Sequence, residues 1–322
     1  MFDVVALGES LIDFTPSGIN DMGMQLFARN PGGAPANVLA MNARLGGKTA
    51  FIGKVGEDDF GRFLQSVMKD AGIDITGLCM AKDVNTTLAF VHLNSQGDRS
   101  FSFYRKPGAD VMLRTDEVKA ELVTGCRIFH FGSVSLTDEP CRSATLSAAR
   151  AAKDAGAIIS YDPNYRPFLW ESEEKARAEI LLALPMADIL KVSEEEMVLL
   201  TDESDLGSGA AKLAQEGPSL VLVTLGPKGA FFFTRKASGL LPAYDVKTVD
   251  TTGAGDAFLG ALHYCIAGKS LTQLQAMQKQ EWESAIAFAN AAGSLTTTRK
   301  GAIPAMPDLK TIENCMKANE LL

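Results

Sequence analysis

Cysteine, histidine and clustered basic charge are all scarce in this 322-residue sequence, and each scarcity closes off a class of function. The five cysteines (Cys79, Cys126, Cys141, Cys265 and Cys315) are scattered and odd in number, with no Cys-x-x-Cys pair. Neither a disulfide framework nor a zinc site is indicated. Of the three histidines, His92 and His130 fall in strand patterns and His263 in a helical one. None has neighbouring ligands or a nucleophile, which points to core or surface roles. The net charge of −8, without a dense Lys/Arg cluster, argues against nucleic-acid binding. No apolar stretch is long enough to cross a bilayer, and the first residues lack the basic segment of a secretory leader. A cytoplasmic protein is expected. A Gly-x-Gly-x-x-Gly dinucleotide fingerprint is missing, and Gly47-Lys48-Thr49 lacks the upstream glycine of a P-loop, because that position is Asn42. Internal repeats, low-complexity segments and long linkers are also missing.

Apolar residues make up 46% of the chain and charged residues 22%, values ordinary for a globular protein with a sizeable core. Short apolar runs at residues 4–7, 127–131, 157–161, 189–192 and 220–224 read as buried strands. Between them, 143–154 is an Ala-rich helix stopped by Gly156, and 175–184 a second helix ending before Pro185. This alternation predicts an α/β protein with a largely parallel sheet. Asp162, Ser193 and Gly226 follow such strands directly, where ligands bind in open α/β sheets. Residues 87–93 and 100–104 have strand composition around the turn material of 94–98, which predicts a hairpin. It belongs either to a small sheet with residues near 12–30 or to an edge of the main sheet.

Residues 250–256 read Asp-Thr-Thr-Gly-Ala-Gly-Asp and run into an apolar stretch. A glycine turn feeding a helix leaves free N–H groups at the positive end of the helix dipole, a ready anion site. Gly253 and Gly255 let those amides, with that of Ala254, approach a ligand without side-chain interference. Asp256, in the first helical turn, can accept a proton from a hydroxyl as that oxygen attacks phosphorus. The helix terminus should keep this carboxylate ionised and therefore a weak base. A plainer reading of the same residues is a turn in which Asp256 caps the helix for stability alone.

Seven further motifs stand in order along the chain. They are Gly-Glu-Ser-Leu-Ile-Asp (8–13), Pro-Gly-Gly-Ala-Pro-Ala-Asn (31–37), Gly-Lys-Val-Gly-Glu-Asp-Asp-Phe-Gly (53–61), Asp-Pro-Asn-Tyr-Arg (162–166), Lys-Val-Ser-Glu-Glu-Glu (191–196), Thr-Leu-Gly-Pro-Lys-Gly (224–229) and Thr-Arg-Lys-Gly-Ala (298–302). In this order and spacing they resemble the ribokinase-like (PfkB) carbohydrate kinase family over nearly the whole chain. The resemblance implies an α/β, ribokinase-like three-layer fold with a mostly parallel central sheet and a small β-sheet lid. It implies one kinase domain over 1–322, the lid contributed by roughly 12–30 and 86–112. A homodimer through that lid is a further implication.

For the reaction, the resemblance implies ATP-dependent phosphorylation of a sugar primary hydroxyl. The amides of Gly253, Ala254, Gly255 and Asp256 would form the anion hole, with the Asp256 carboxylate as general base. Ser193, Thr224, Gly226, Gly229 and Asn290 fall at nucleotide-binding positions, although 224–229 also reads as a plain strand-to-strand turn. Ser193 replaces the Asn of the family's Asn-x-x-Glu element, and Glu196 matches its Glu, which organises hydrated Mg²⁺. The pair Ser193 and Glu196 reads equally as a helix capping box. Asp250, Thr252, Thr296, Arg299 and Gly301 resemble the loop that holds K⁺ in some relatives, but Ala305 stands where several of those carry Ser.

Asp13, Gly33 and Asn37 match the family's sugar-binding positions. Tyr104 and Arg166, with the patterns around them, resemble the fructokinase branch, so D-fructose converted to fructose 6-phosphate is the expected reaction. Arg166 could equally neutralise the transferred phosphate. Kinases for 2-keto-3-deoxygluconate, aminoimidazole riboside or ribose are the rival readings within the family. A catalytically silent sugar-binding regulator is the rival outside enzyme chemistry.

Overall fold

Val4, Val5, Ala6 and Leu7 are fully buried, and they alternate between two separate apolar clusters. The first strand therefore belongs to a sheet covered on both faces, which is why its residues read as a continuous apolar run. The computed structural model describes residues 1–93 and 99–319, so the turn expected at 94–98 lies outside the described residues.

In chain order the strands are β1 Phe2–Leu7, β2 Leu11–Ile19, β3 Gln25–Gly32, β4 Thr49–Gly56, β5 Asp74–Ala81, β6 Leu88–Leu93, β7 Arg99–Tyr104, β8 Cys126–Gly132, β9 Ile158–Asp162, β10 Ile189–Ser193, β11 Leu220–Thr224, β12 Ala230–Thr234 and β13 Ser238–Leu241. Nine of them form the central sheet in the order β13-β12-β11-β10-β9-β8-β1-β4-β5. Pairing is parallel from β11 through β5, and β12 and β13 add an antiparallel edge. One face packs against the helices Ala34–Arg44, Ala254–Ile266 and Lys279–Thr296, the other against Cys141–Asp154, Glu173–Ala183 and Leu206–Gln215. The expected three-layer α/β architecture is present. β4 went unread in the sequence because Gly53, Lys54 and Gly56 interrupt its apolar pattern.

β2, β3, β6 and β7 form a separate four-stranded sheet in the order β3-β2-β6-β7. Parallel pairing of β2 with β6 (Ile12 opposite Leu88, Phe14 opposite Phe90) joins the hairpin to the early segment. The edge-hairpin alternative is thereby excluded. Phe14 stacks on Phe90 at 4.7 Å and meets Phe60 of the Asp59–Asp70 helix edge-on at 5.7 Å, which ties this lid to the body. The chain leaves the lid after Tyr104. Arg105 is buried and bonds Asp110 (2.7 Å), Thr137 (2.8 Å) and the Val134 carbonyl (3.0 Å).

Candidate active site

Gly253 has φ +75° and caps the helix Ala254–Ile266 without any side-chain cap. A Cβ there would stand 2.5 Å from Ala302 Cβ, so both the dihedral and the close approach require glycine. The Ala254 N–H donates to the Thr251 carbonyl at 3.3 Å, which removes it from the expected anion hole. The amides of Gly253, Gly255 and Asp256 remain for an anion. Asp256 does not reach back over the turn. Its Oδ2 accepts from Asn37 Nδ2 at 2.8 Å, across the gap between the helices Ala34–Arg44 and Ala254–Ile266. The capping reading therefore fails, because the carboxylate is spent on a contact between helices.

The shift at Asp256 runs opposite to the one expected from the helix terminus. Burial, aided by the Asp162 carboxylate, raises its pKa above the ordinary range, against the opposing pull of Asn37, Lys191 and Arg166. Desolvation outweighs the helix dipole here. The result is a stronger base than a solvated aspartate.

Of the expected sugar-side residues, Asn37 meets this carboxylate directly, and Asp13 shares the influence of Arg166 with it. Gly33 has φ +118° and is the N-cap of the Ala34–Arg44 helix, with the Glu9 carbonyl where a Cβ would be. Glu9 Oε1 accepts from the Ala34 N–H at 2.9 Å and so holds the loop from β1 against the helix start. Burial raises the Glu9 pKa to about 7. Asn37 Oδ1, Ser10 Oγ and Glu9 Oε2 are buried and make no hydrogen bond. Such acceptors are costly unless a ligand's hydroxyls satisfy them, and a polyol suits that need. Asp13, on β2, is pushed up to about 6 by burial, partly offset by Arg166. Arg166 is exposed, held by the carbonyls of Asn164 (3.3 Å) and Tyr165 (3.2 Å), and acts on both Asp13 and Asp256. Tyr104 is 67% exposed at the end of β7, edge-on to Phe90 at 5.7 Å.

Sequence reasoning missed an ion pair beneath the anion turn. Lys191 Nζ lies 2.6 Å from Asp162 Oδ2, and both residues are buried. A lysine inside the apolar run Ile-Leu-Lys-Val of β10 was the available signal. Burial works against its charge but is outweighed by Asp162, Glu196 and Asp256, so its pKa lies above the ordinary lysine value.

On the nucleotide side, Ser193 is the N-cap of the Glu194–Thr201 helix and Glu196 completes the capping box (3.1 Å and 2.7 Å). The second Glu196 oxygen accepts from the Tyr165 N–H at 2.6 Å. With both oxygens engaged and the residue buried, Glu196 suits contact with a metal through water better than direct ligation. Thr224 Oγ1 bonds the Val192 carbonyl at 3.3 Å, at the end of β11. Gly226 (φ +57°) has open space where a Cβ would stand, whereas Gly229 is closed off by the Leu241 carbonyl. Asn290 spends its Nδ2 on the Leu241 and Pro242 carbonyls, both at 3.0 Å.

The expected cation loop is only partly assembled by side chains. Asp250 accepts from Thr252 N (3.0 Å) and Oγ1 (2.7 Å) with one oxygen and from Gly301 N (2.9 Å) with the other. Thr296 turns its hydroxyl to Ala292 in its own helix, and Arg299 is exposed. Among the described residues no group of three or more His, Cys, Asp or Glu is placed to hold a metal ion. The recess of about 580 Å³ lined by Asp188, Leu220, Arg235 and Trp282 lies at the opposite ends of the strands and shares none of these residues.

A mostly parallel nine-stranded sheet between helical layers, with a separate four-stranded sheet, defines the class as a three-layer α/β protein with a small second sheet. Within it, the pfkB family carbohydrate kinase model matches residues 1–309. Fructokinase-1 of Zea mays is 47% identical over 307 residues, covering 94% of each chain. The crystal structure of fructokinase with bound ATP from Xylella fastidiosa has a TM-score of 0.93 at 35% identity, covering 99% of this chain and 100% of that one. Fructokinase from Vibrio cholerae O395, in fructose, ADP and calcium ion bound form, has a TM-score of 0.86 at 36% identity, covering 97% and 98%. The chain belongs to the pfkB family of carbohydrate kinases and is an ATP-dependent sugar kinase.

Proposed function

We propose that this kinase phosphorylates the 6-hydroxyl of D-fructose, with Asp256 as the general base. The observation that carries this reading is the 2.8 Å bond between Asn37 and Asp256. It joins the segment whose buried Glu9 Oε2, Ser10 Oγ and Asn37 Oδ1 lack partners among the described residues to the glycine turn that starts the Ala254–Ile266 helix. A hydroxyl held near Asn37 and Asp13 would lose its proton to Asp256 as its oxygen attacks the γ-phosphorus in line. The Gly253, Gly255 and Asp256 amides would take up charge on the transferred group, and Arg166 would bridge the two halves of the site. Ser193, Thr224, Gly226, Gly229 and Asn290 shape the nucleotide side in this reading. Mg²⁺, when bound, would screen the phosphates, with Glu196 holding it through water. Asp250, Thr252 and Gly301, with the chain at Thr296 and Arg299, form the candidate K⁺ loop.

Fructose is favoured over the related acceptors by the relatives' identities and by the Tyr104 and Arg166 positions. Coupled ADP release with ATP and Mg²⁺ tests this against fructose, ribose, 2-keto-3-deoxygluconate and aminoimidazole riboside, each with and without K⁺. Turnover on fructose above the others is expected, and preference for another acceptor would overturn the substrate assignment. Asp256→Asn should keep sugar and nucleotide binding while turnover falls by ~10²–10⁴-fold. Near-native turnover in that variant would sink the base assignment, and a native protein that binds fructose without turnover would favour the silent regulator. Among the described residues the cysteines form no disulfide, which suits the cytoplasmic setting we propose. Cell fractionation that put the activity in another compartment would refute it.

A further inference from the structure

The glycine at 255 has a second use besides baring an amide. Its φ is helical, and a Cβ there would stand 3.3 Å from both Cε and Nζ of Lys191. The missing side chain lets a buried ammonium approach the first turn of the Ala254–Ile266 helix from beneath. Such a position is unfavourable by itself, because the helix N-terminus is already positive. It persists because Asp162 Oδ2 grips Nζ at 2.6 Å, and Asp162 is itself anchored by the Asn164 N–H at 3.1 Å. Behind the pair, His130 is held neutral, its pKa pushed down to about 4 by burial. It shares Ser160 Oγ (3.2 Å) with His263 (2.8 Å).

We propose that Lys191, locked by Asp162, is a positioning residue for phosphoryl transfer, supplying the fixed positive charge beneath Gly255 on which Asp256 and the anion turn depend. The proposal rests on the reading of Asp256 as base. The charged groups facing Asp256 are Asp162 from β9, Lys191 from β10 and Arg166 from the loop after β9, while Asn37 supplies the neutral donor. Glu196 bears on the same pair through Lys191 and Asp162. A buried pair of this kind is weak evidence for stability, since well-packed apolar residues often do as well. Its placement at the reacting end of the sheet makes electrostatic use the better account.

The test is the pH profile of kcat/KM for the sugar in Lys191→Met, Lys191→Arg, Asp162→Asn and Asp256→Asn, with unfolding curves run alongside. Removing the cation should move the acid limb to higher pH and cut kcat by ~100-fold, while sugar and nucleotide Kd stay within about threefold. Removing the neighbouring anion should move the limb to lower pH. Lys191→Arg, which keeps the charge, should retain most of kcat. Opposite shifts from the two members of one ion pair are not expected of a structural bridge. If both substitutions lower stability alike and leave the limb in place, the inference is overturned. Should Lys191→Met fail to fold, the direction of the limb in Asp162→Asn still decides. An active Asp256→Asn defeats the base reading, whereas an inactive one with unmoved limbs in the other variants defeats only the role of Lys191.

Discussion

Asp13 shows how one side chain couples burial to ligand chemistry. Its pKa is raised to about 6 by desolvation, against the pull of Arg166. Below that pH the free protein holds Asp13 protonated; above it the carboxylate is charged and, in the sugar-binding role proposed for it, would accept hydroxyls at full strength. Sugar affinity should therefore increase from about pH 5 to about pH 7 and level off above. Asp13→Asn should abolish that dependence and weaken binding by ~10–100-fold, the worth of a charge-assisted hydrogen bond. Calorimetric titration across this range checks both; binding that ignores pH in the native protein would count against a sugar contact at Asp13. The acidic protein keeps its few interior cations, Lys54, Arg105 and Lys191, where carboxylates meet them at 2.6 Å, 2.7 Å and 2.6 Å.

Among the elements, the helix Ala254–Ile266 carries the most consequence, because its start is the proposed anion site and its flank is the core. Residues Ala257, Leu259, Ala261 and Leu262 are fully buried against the sheet, which fixes where the first turn points. Gly253→Ala would force a left-handed dihedral on a residue with a Cβ and drive it into Ala302. A stability loss of ~1–3 kcal/mol is expected, measured by denaturant midpoint. Turnover should fall by ~10²-fold as the amides shift, and an unchanged kcat would mean that the turn does not bind the reacting group. The Glu194–Thr201 helix shows the opposite case. Ser193 and Glu196 complete its capping box, so a motif read for metal chemistry is also a structural cap.

For the molecule as a whole, the lid is the part least accounted for by one chain. Ile19, Met22, Met24, Leu26 and Phe27 are exposed by 67%, 77%, 51%, 45% and 37%, a run of apolar side chains at one end of the β2–β3 ribbon. Exposed apolar side chains concentrated in one segment are candidates for an interface. We propose that two copies pair through their lids. Sedimentation should give a dimer at micromolar concentration, and Met22→Ser combined with Met24→Ser and Leu26→Ser should give a folded monomer. A native monomer, or a triple variant that still dimerises, would rule the lid out as the contact. No helix among the described residues is long and apolar enough to cross a membrane.

Periodicity and turn chemistry alone were enough to read the buried strands β1, β8, β9, β10 and β11, the Gly156 stop and the glycine turn at 253, because each depends on a few adjacent residues. Motif order reached further, to the family and the lid. The rest lay in contacts between residues far apart in the chain. Asn37 and Asp256 are 219 positions apart, and no local pattern says that one will hold the other. Whether Asp256 is a strong or weak base depends on how much water the packed helices exclude. That burial, like the approach of Lys191 to Gly255 and the loss of the Ala254 amide to Thr251, exists only once the layers have assembled.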